Sequence, residues 1–160
     1  MNDPSQMALL VVEDSEADYA AFLRVYKHLD QQPTLFRCRD GEDTLEFLHH
    51  LGKYQGNAEI PRPNLILLDL NLPGTDGREV LGQIKQDYYL KAIPVVILTT
   101  SNNSLDIKEC YTKGANSYLI KALPFSKFAH ALEVLLEYWL KVIVLPGTKL
   151  QEGKEKETGV

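Results

Sequence analysis

The sequence predicts one α/β domain built on a five-stranded, doubly wound parallel sheet, and three observations carry that prediction. Short apolar runs rich in β-branched residues recur at 8–12, 35–36, 65–68, 95–98 and 118–120. Segments of helical period lie between and after them, at 15–29, 41–51, 77–86, 104–113 and 124–140, so strand and helix alternate five times. The length of 160 residues, with 44% hydrophobic and 24% charged side chains, suits a single core. Right-handed crossovers between neighbouring parallel strands then give a flavodoxin-like (βα)5 arrangement, in which strands 1 and 3 are neighbours.

Each element has its own justification. The first, third and fourth runs are too continuously apolar for half-exposed strands and suit a sheet covered on both faces. The first runs Ala8-Leu-Leu-Val-Val12 into Glu13-Asp14, where Ser15 and Asp18 form a capping pair for helix 1, which carries Ala20, Leu23 and Lys27 at spacings of three and four. The third run ends at Asp69 and is followed by the Pro73-Gly74 turn. Pro94 introduces strand 4, which ends at Thr99-Thr100; strand 5 ends at Lys121, and Pro124 suits the first turn of helix 5. Helix 5 carries an apolar stripe of Phe125, Phe128, Leu132, Leu135, Leu136 and Trp139 for the sheet. Ala131, Val134, Tyr138 and Val142 add a second apolar face, which residues 142–145 continue. The domain with this extension is expected over 1–145. The polar, glycine-rich, charge-alternating stretch 146–160 is expected to be a flexible tail, and there is no internal repeat.

Composition excludes several classes. No apolar run approaches the length needed to span a bilayer, and the amino terminus lacks the basic and apolar segments of a secretory signal, so no membrane partner and a cytoplasmic location are expected. Cys38 and Cys110 are widely separated and read as small buried apolar residues in a reducing compartment. A net charge of −5 argues against a phosphate-neutralising surface, so no nucleic-acid partner is expected. His28, His49, His50 and His130 show neither metal-ligand spacing nor a paired nucleophile and read as solvated helix positions.

Ligands of open α/β sheets collect beyond the carboxyl ends of the strands. With strands 1 and 3 adjacent, Glu13, Asp14 and Asp69 converge there. Either acid of the pair alone reads equally well as a first-turn residue of helix 1, favoured by the helix dipole; their pairing with Asp69 decides for a site. Unpaired carboxylates so close would repel and raise one another's pKa, and a hard divalent cation such as Mg²⁺ holds them together. Asp69 is then a candidate nucleophile toward a phosphoryl group, with Lys121 neutralising transferred oxygens and Thr99 supplying a hydroxyl.

Four blocks, Leu-Val-Val-Glu13-Asp14-Ser, Asn64-Leu-Ile-Leu-Leu-Asp69-Leu-Asn71-Leu-Pro73-Gly-Thr-Asp76-Gly77, Ile93-Pro94-Val-Val-Ile-Leu-Thr99-Thr100 and Gly114-Ala-Asn-Ser-Tyr118-Leu-Ile-Lys121, resemble bacterial response-regulator receiver domains over residues 8–140. The resemblance implies that Asp69 is the phosphoacceptor, that Glu13 and Asp14 hold Mg²⁺ with Asn71 adding its backbone carbonyl, and that Lys121 partners the phosphate. It makes Thr99 and Tyr118 a switch pair. The wider pattern, including Arg62-Pro63 and the late Tyr138-Trp139-Leu140, is similar to cyanobacterial phytochrome-partner response regulators, which implies a phytochrome-type histidine kinase as partner. One departure stands out: receivers usually place proline directly after the lysine, whereas Ala122-Leu123 intervene here before Pro124.

A phosphatase of the haloacid-dehalogenase type would need a second aspartate two residues after the nucleophile as general acid, and Asn71 cannot transfer a proton. A flavin or nucleotide binder would need glycines where Glu13-Asp14-Ser15-Glu16 stands. A degenerate receiver serving only as a docking module is the remaining alternative, and the complete acidic set argues against it. The expectation is therefore a phosphoacceptor signalling domain, not a turnover enzyme, with self-catalysed phosphotransfer and slow autodephosphorylation, and with no effector domain in the residues after helix 5. A homodimer through Tyr138, Trp139, Val142 and Val144 is expected to cover the surplus apolar face; the alternative is that the extension folds back over its own domain.

Overall fold

The structure, a computed structural model, describes residues 3–121 and 124–148. Five parallel strands, β1 (Ala8–Val12), β2 (Thr34–Cys38), β3 (Leu65–Leu68), β4 (Val95–Thr99) and β5 (Ser117–Ile120), form one sheet in the order β2-β1-β3-β4-β5. Helices α1 (Glu16–Tyr26), α2 (Gly41–His49), α3 (Gly77–Gln86), α4 (Ser104–Thr112) and α5 (Phe125–Glu137) connect and follow them. The three continuously apolar runs are the three central strands, buried at every position, while β2 and β5 are the edges and are only partly covered.

The two-residue period of the strands divides the interior into two cores. Leu10, Val12, Ile66, Leu68, Val95 and Ile97 face Phe47 of α2, Val80, Leu81 and Ile84 of α3 and Cys110 of α4. Leu9, Val11, Leu65, Leu67, Val96 and Leu98 face Phe22 of α1 and Phe128, Leu132 and Leu136 of α5. Both cysteines are buried, and burial pushes the Cys38 thiol up to about 12 and that of Cys110 to about 11, so neither is a thiolate near neutrality.

Several boundaries move. β2 spans five residues rather than two, because an edge strand needs only a ladder to β1 and no continuous apolar run. α1 ends at Tyr26 rather than at residue 29: the amides of His28 and Leu29 turn back to the carbonyls of Val25 and Tyr26, tightening the helix into its exit turn. Pro124 precedes α5 as its N-cap residue rather than lying in the first turn. α5 gives way at Tyr138 to a π-helical turn, Tyr138–Val142, closed by the Ile143 amide on the Tyr138 carbonyl. In the extension beyond, Leu140 and Leu145 are buried, Trp139 and Ile143 pack against the α1–α5 core, and Tyr138, Val142 and Val144 are 50%, 66% and 64% exposed. The unusual Ala122-Leu123 step and residues 149–160 of the expected tail lie outside the described residues.

Candidate functional site

Glu13, Asp14, Asp69, Thr99 and Lys121 are each the last residue of a strand or the first or second residue past it. The Glu13 amide donates to the Cys38 carbonyl and the Asp69 amide to the Val12 carbonyl, so the ladders of β1 with β2 and β3 continue one residue and set Glu13 beside Asp69. The Lys121 amide donates to the Thr99 carbonyl at 2.7 Å and extends β5 in the same way. The Ser15 hydroxyl caps α1 by accepting from the Asp18 amide, as the sequence predicts. Beyond Asp69 the chain turns tightly enough that a Cβ on Gly77 would lie 2.2 Å from the Asp69 carbonyl oxygen and 2.6 Å from Leu70 Cα. Only glycine lets the start of α3 press against the loop that follows the aspartate, which fixes the path of that loop. The Asn71 amide donates to Asp69 Oδ1 at 3.3 Å and pins the carboxylate from the same loop.

The geometry brings Glu13, Asp14 and Asp69 together, with one carboxylate oxygen of each within 4.8 Å of the others. Glu13 and Asp69 are buried and Asp14 is exposed at the mouth. Lys121 reaches in from β5, its ammonium donating to Glu13, to Asp18 Oδ2 at 2.9 Å and to Asp69 Oδ2 at 3.1 Å. Burial alone would push the Lys121 pKa down, but the bond to Glu13 and the charge of Asp69 outweigh it and hold the ammonium firmly protonated. Burial pushes the Glu13 carboxyl up to about 7 despite Lys121, with the neighbouring Asp69 adding to the rise. A charged Lys121 favours a charged Glu13, so the two shifts pull against each other; a second cation at the mouth would resolve the conflict by relieving the repulsion from Asp14 and Asp69. Four carboxylates, counting Asp18, face one ammonium among the described residues, and every donor atom is a hard oxygen. The residues therefore fit a divalent cation of the Mg²⁺ and Mn²⁺ class.

Asp18 is the site residue that sequence reasoning misses. Its backbone role as the capped residue of α1 is legible, but its side-chain contact requires knowing that the first turn of α1 faces the end of β5. Thr99 is fully buried, with the Ser101 amide 3.5 Å from its hydroxyl. Tyr118 is half-buried and donates its hydroxyl to the Ser101 carbonyl at 2.9 Å. Ser101 in turn donates to Asp106, which Arg78 of α3 bridges at 2.8 Å, so Thr99, Tyr118, α3 and α4 meet around one loop residue. Tyr138, Trp139, Val142 and Val144 lie far along the chain from this centre, on the carboxyl-terminal extension.

The family model of the response regulator receiver domain matches residues 9–133. The chain belongs to the response regulator receiver family. Among its relatives, this receiver is 43% identical to the response regulator Rcp1 of Synechocystis over 91% of its own length and 99% of that protein. The phosphorylated cyanobacterial phytochrome response regulator RcpA superposes with a TM-score of 0.82 at 39% identity, covering 88% of this receiver and 99% of that chain. The Mn²⁺-bound form of Rcp1 superposes equally well, at 43% identity and the same coverage. The sheet order and helices match the receiver fold expected from the sequence. A divalent metal is thus a property of this family that the acidic cluster accommodates. No helix among the described residues is long and apolar enough to cross a membrane.

Proposed function

We propose that this receiver accepts a phosphoryl group on Asp69 from a phytochrome-type histidine kinase and signals through protein contacts. The observation that supports it most is the buried Asp69 carboxylate, held by the Asn71 amide and Lys121 and facing the Glu13–Asp14 pair. Glu13, Asp14, Asp69 and the backbone carbonyl of Asn71 would hold Mg²⁺, which when bound would neutralise charge on the transferred group. An Asp69 oxygen attacks phosphorus, the bond from phosphorus to the donor nitrogen breaks, and its electron pair stays on the kinase imidazole, which takes up a proton from solvent. Lys121 leaves Asp18 and Glu13 to pair with the new phosphoryl oxygens. Asn71 offers no general acid or base for hydrolysis, so the aspartyl-phosphate decays slowly.

The switch follows from the hydrogen bonds around Ser101. Movement of the Thr99 hydroxyl to a phosphoryl oxygen releases the Ser101 amide, and Ser101 carries both the Tyr118 bond and the Asp106 bond. Tyr118 and α4 therefore respond together. The exposed Tyr138, Val142 and Val144, with Trp139 beside them, supply the surface for a homodimer.

Incubating the protein with acetyl phosphate and Mg²⁺ tests this reading by intact mass. The parent gains one phosphoryl group and Asp69→Asn gains none; equal labelling of the two, or an unlabelled parent, contradicts the phosphoacceptor role and leaves a docking module. Sedimentation tests the dimer: truncation after Glu137 shifts the chain toward monomer, and an equally tight dimer after truncation rules out this interface.

A further inference from the structure

β2 contributes nothing to the site as the sequence reads it, yet its Arg37 is among the best-covered charged side chains near the acidic cluster, only 12% exposed. Arg37 pairs in register with Val11 and faces the α1 side of the sheet. There its guanidinium lies 4.0 Å from the centroid of the Tyr19 ring, and Nη1 stands 3.2 Å from Glu16 Oε1. Nη2 is buried with no hydrogen-bond partner among the described residues, so full satisfaction of its donors does not explain the placement. The remaining donor, Nε, reaches the backbone carbonyl of Glu13 at 3.1 Å.

That carbonyl belongs to the peptide joining Glu13 to Asp14. The preceding peptide is fixed as well, because the Glu13 amide donates to the Cys38 carbonyl at 3.0 Å. Consecutive residues at the end of β2 thus grip the peptides on both sides of Glu13, Cys38 on one and Arg37 on the other. Rotation of the second peptide would swing the Asp14 carboxylate away from Glu13 and Asp69, whose oxygens need its company within 4.8 Å to form the cluster. Asp14 is exposed, and among the described residues no hydrogen bond holds its side chain; its direction depends on the backbone that carries it.

We infer that Arg37 is a positioning residue for the divalent-cation site: stacked on Tyr19 and braced by Glu16, it holds the Glu13–Asp14 peptide so that both carboxylates face Asp69. This rests on the cation-binding reading of the cluster. The flat guanidinium can lie against the Tyr19 ring while Nε points along the strand to the carbonyl; a lysine ammonium has neither the plane nor the fork. Groups that orient metal ligands from behind typically matter by about 10–100-fold in metal affinity when removed.

The test is titration calorimetry of the full chain with Mg²⁺, together with amide NMR of the metal-free protein. Arg37→Leu and Arg37→Lys each weaken Mg²⁺ binding by about tenfold or more, and the Asp14 amide resonance shifts or broadens before any metal is added. Glu16→Gln, which removes the charge but keeps an acceptor for Nη1 and the bond to the carbonyl, keeps the affinity within about twofold. Folded Arg37 variants that bind Mg²⁺ like the parent overturn the inference. Should Arg37→Leu not fold, Arg37→Lys with an unmoved Asp14 resonance and parental affinity is sufficient to overturn it. A parent that binds no Mg²⁺ sinks the underlying reading instead, so the two failures are distinct.

Discussion

The two ends of the sheet use polar side chains in opposite ways. At the amino end, Asn64 accepts from the Ala8 amide at 2.9 Å and donates to the Pro146 carbonyl at 3.1 Å, tying the start of β1 to the carboxyl-terminal extension. Asn116 accepts from the Val95 amide at 2.9 Å and closes the start of β4. An amide carries both a donor and an acceptor, so each asparagine can serve more than one strand-end group without a charge. At the carboxyl end the chain instead gathers acceptors: Glu13, Asp18 and Asp69 share the ammonium of Lys121, and the Asp14 carboxylate stands beside those of Glu13 and Asp69. The asparagines close their strand ends without charge; the other end is complementary to something that brings positive charge. Position at a strand end does not separate structure from function here, whereas the balance of donors to acceptors does.

Paired substitutions sharpen the contrast. Asp14→Ala removes a ligand from the mouth of the acidic end and is expected to weaken Mg²⁺ binding by about tenfold or more. It leaves denaturant stability of the metal-free protein unchanged or raised, because like charges are relieved. Asn64→Ala does the reverse: leaving the Ala8 amide unsatisfied costs about 1–3 kcal/mol in urea unfolding while Mg²⁺ affinity stays parental. Loss of metal affinity in Asn64→Ala would erase the distinction between the ends.

Proton competition gives a smaller effect. Burial and Asp69 hold the Glu13 carboxyl at about 7, above its ordinary 4.5, so the metal-free folded chain binds this proton more tightly than the unfolded chain. The resulting stabilisation is fully present below pH 4.5 and is lost as pH rises through about 7. Mg²⁺ must displace the same proton, and its affinity therefore rises by up to about tenfold from pH 6 to pH 8. Calorimetry at the two values checks this, and an affinity independent of pH would remove Glu13 from the site.

Much of this contrast is legible in the sequence. Continuity of the apolar runs distinguishes the central strands from the edges, since a strand covered on both faces has no polar alternation, and charged residues directly after such runs mark the carboxyl end. Glu13, Asp14, Asp69 and Lys121 are readable in that way. Asp18 and Arg37 are not: each stands in a locally ordinary place, a first helical turn and an edge strand, and gains its contact only in the folded sheet, where Lys121 reaches Asp18 and β2 lies beside the end of β1. Residues 142–145 read as one apolar run, but the turn after α5 buries Leu145 while leaving Val142 and Val144 outside, a division that depends on the π-helical turn at Tyr138 rather than on composition.

The carboxyl end of the sheet suits a divalent cation and the amino end does not. Amide NMR of the metal-free chain during a Mg²⁺ titration tests this difference most directly. Saturable shifts are expected at Glu13, Asp14, Asp69, Asn71 and Lys121, with Ala8, Asn64, Val95 and Asn116 unmoved. Shifts of equal size at both ends, or none at Asp14 and Asp69, would contradict it.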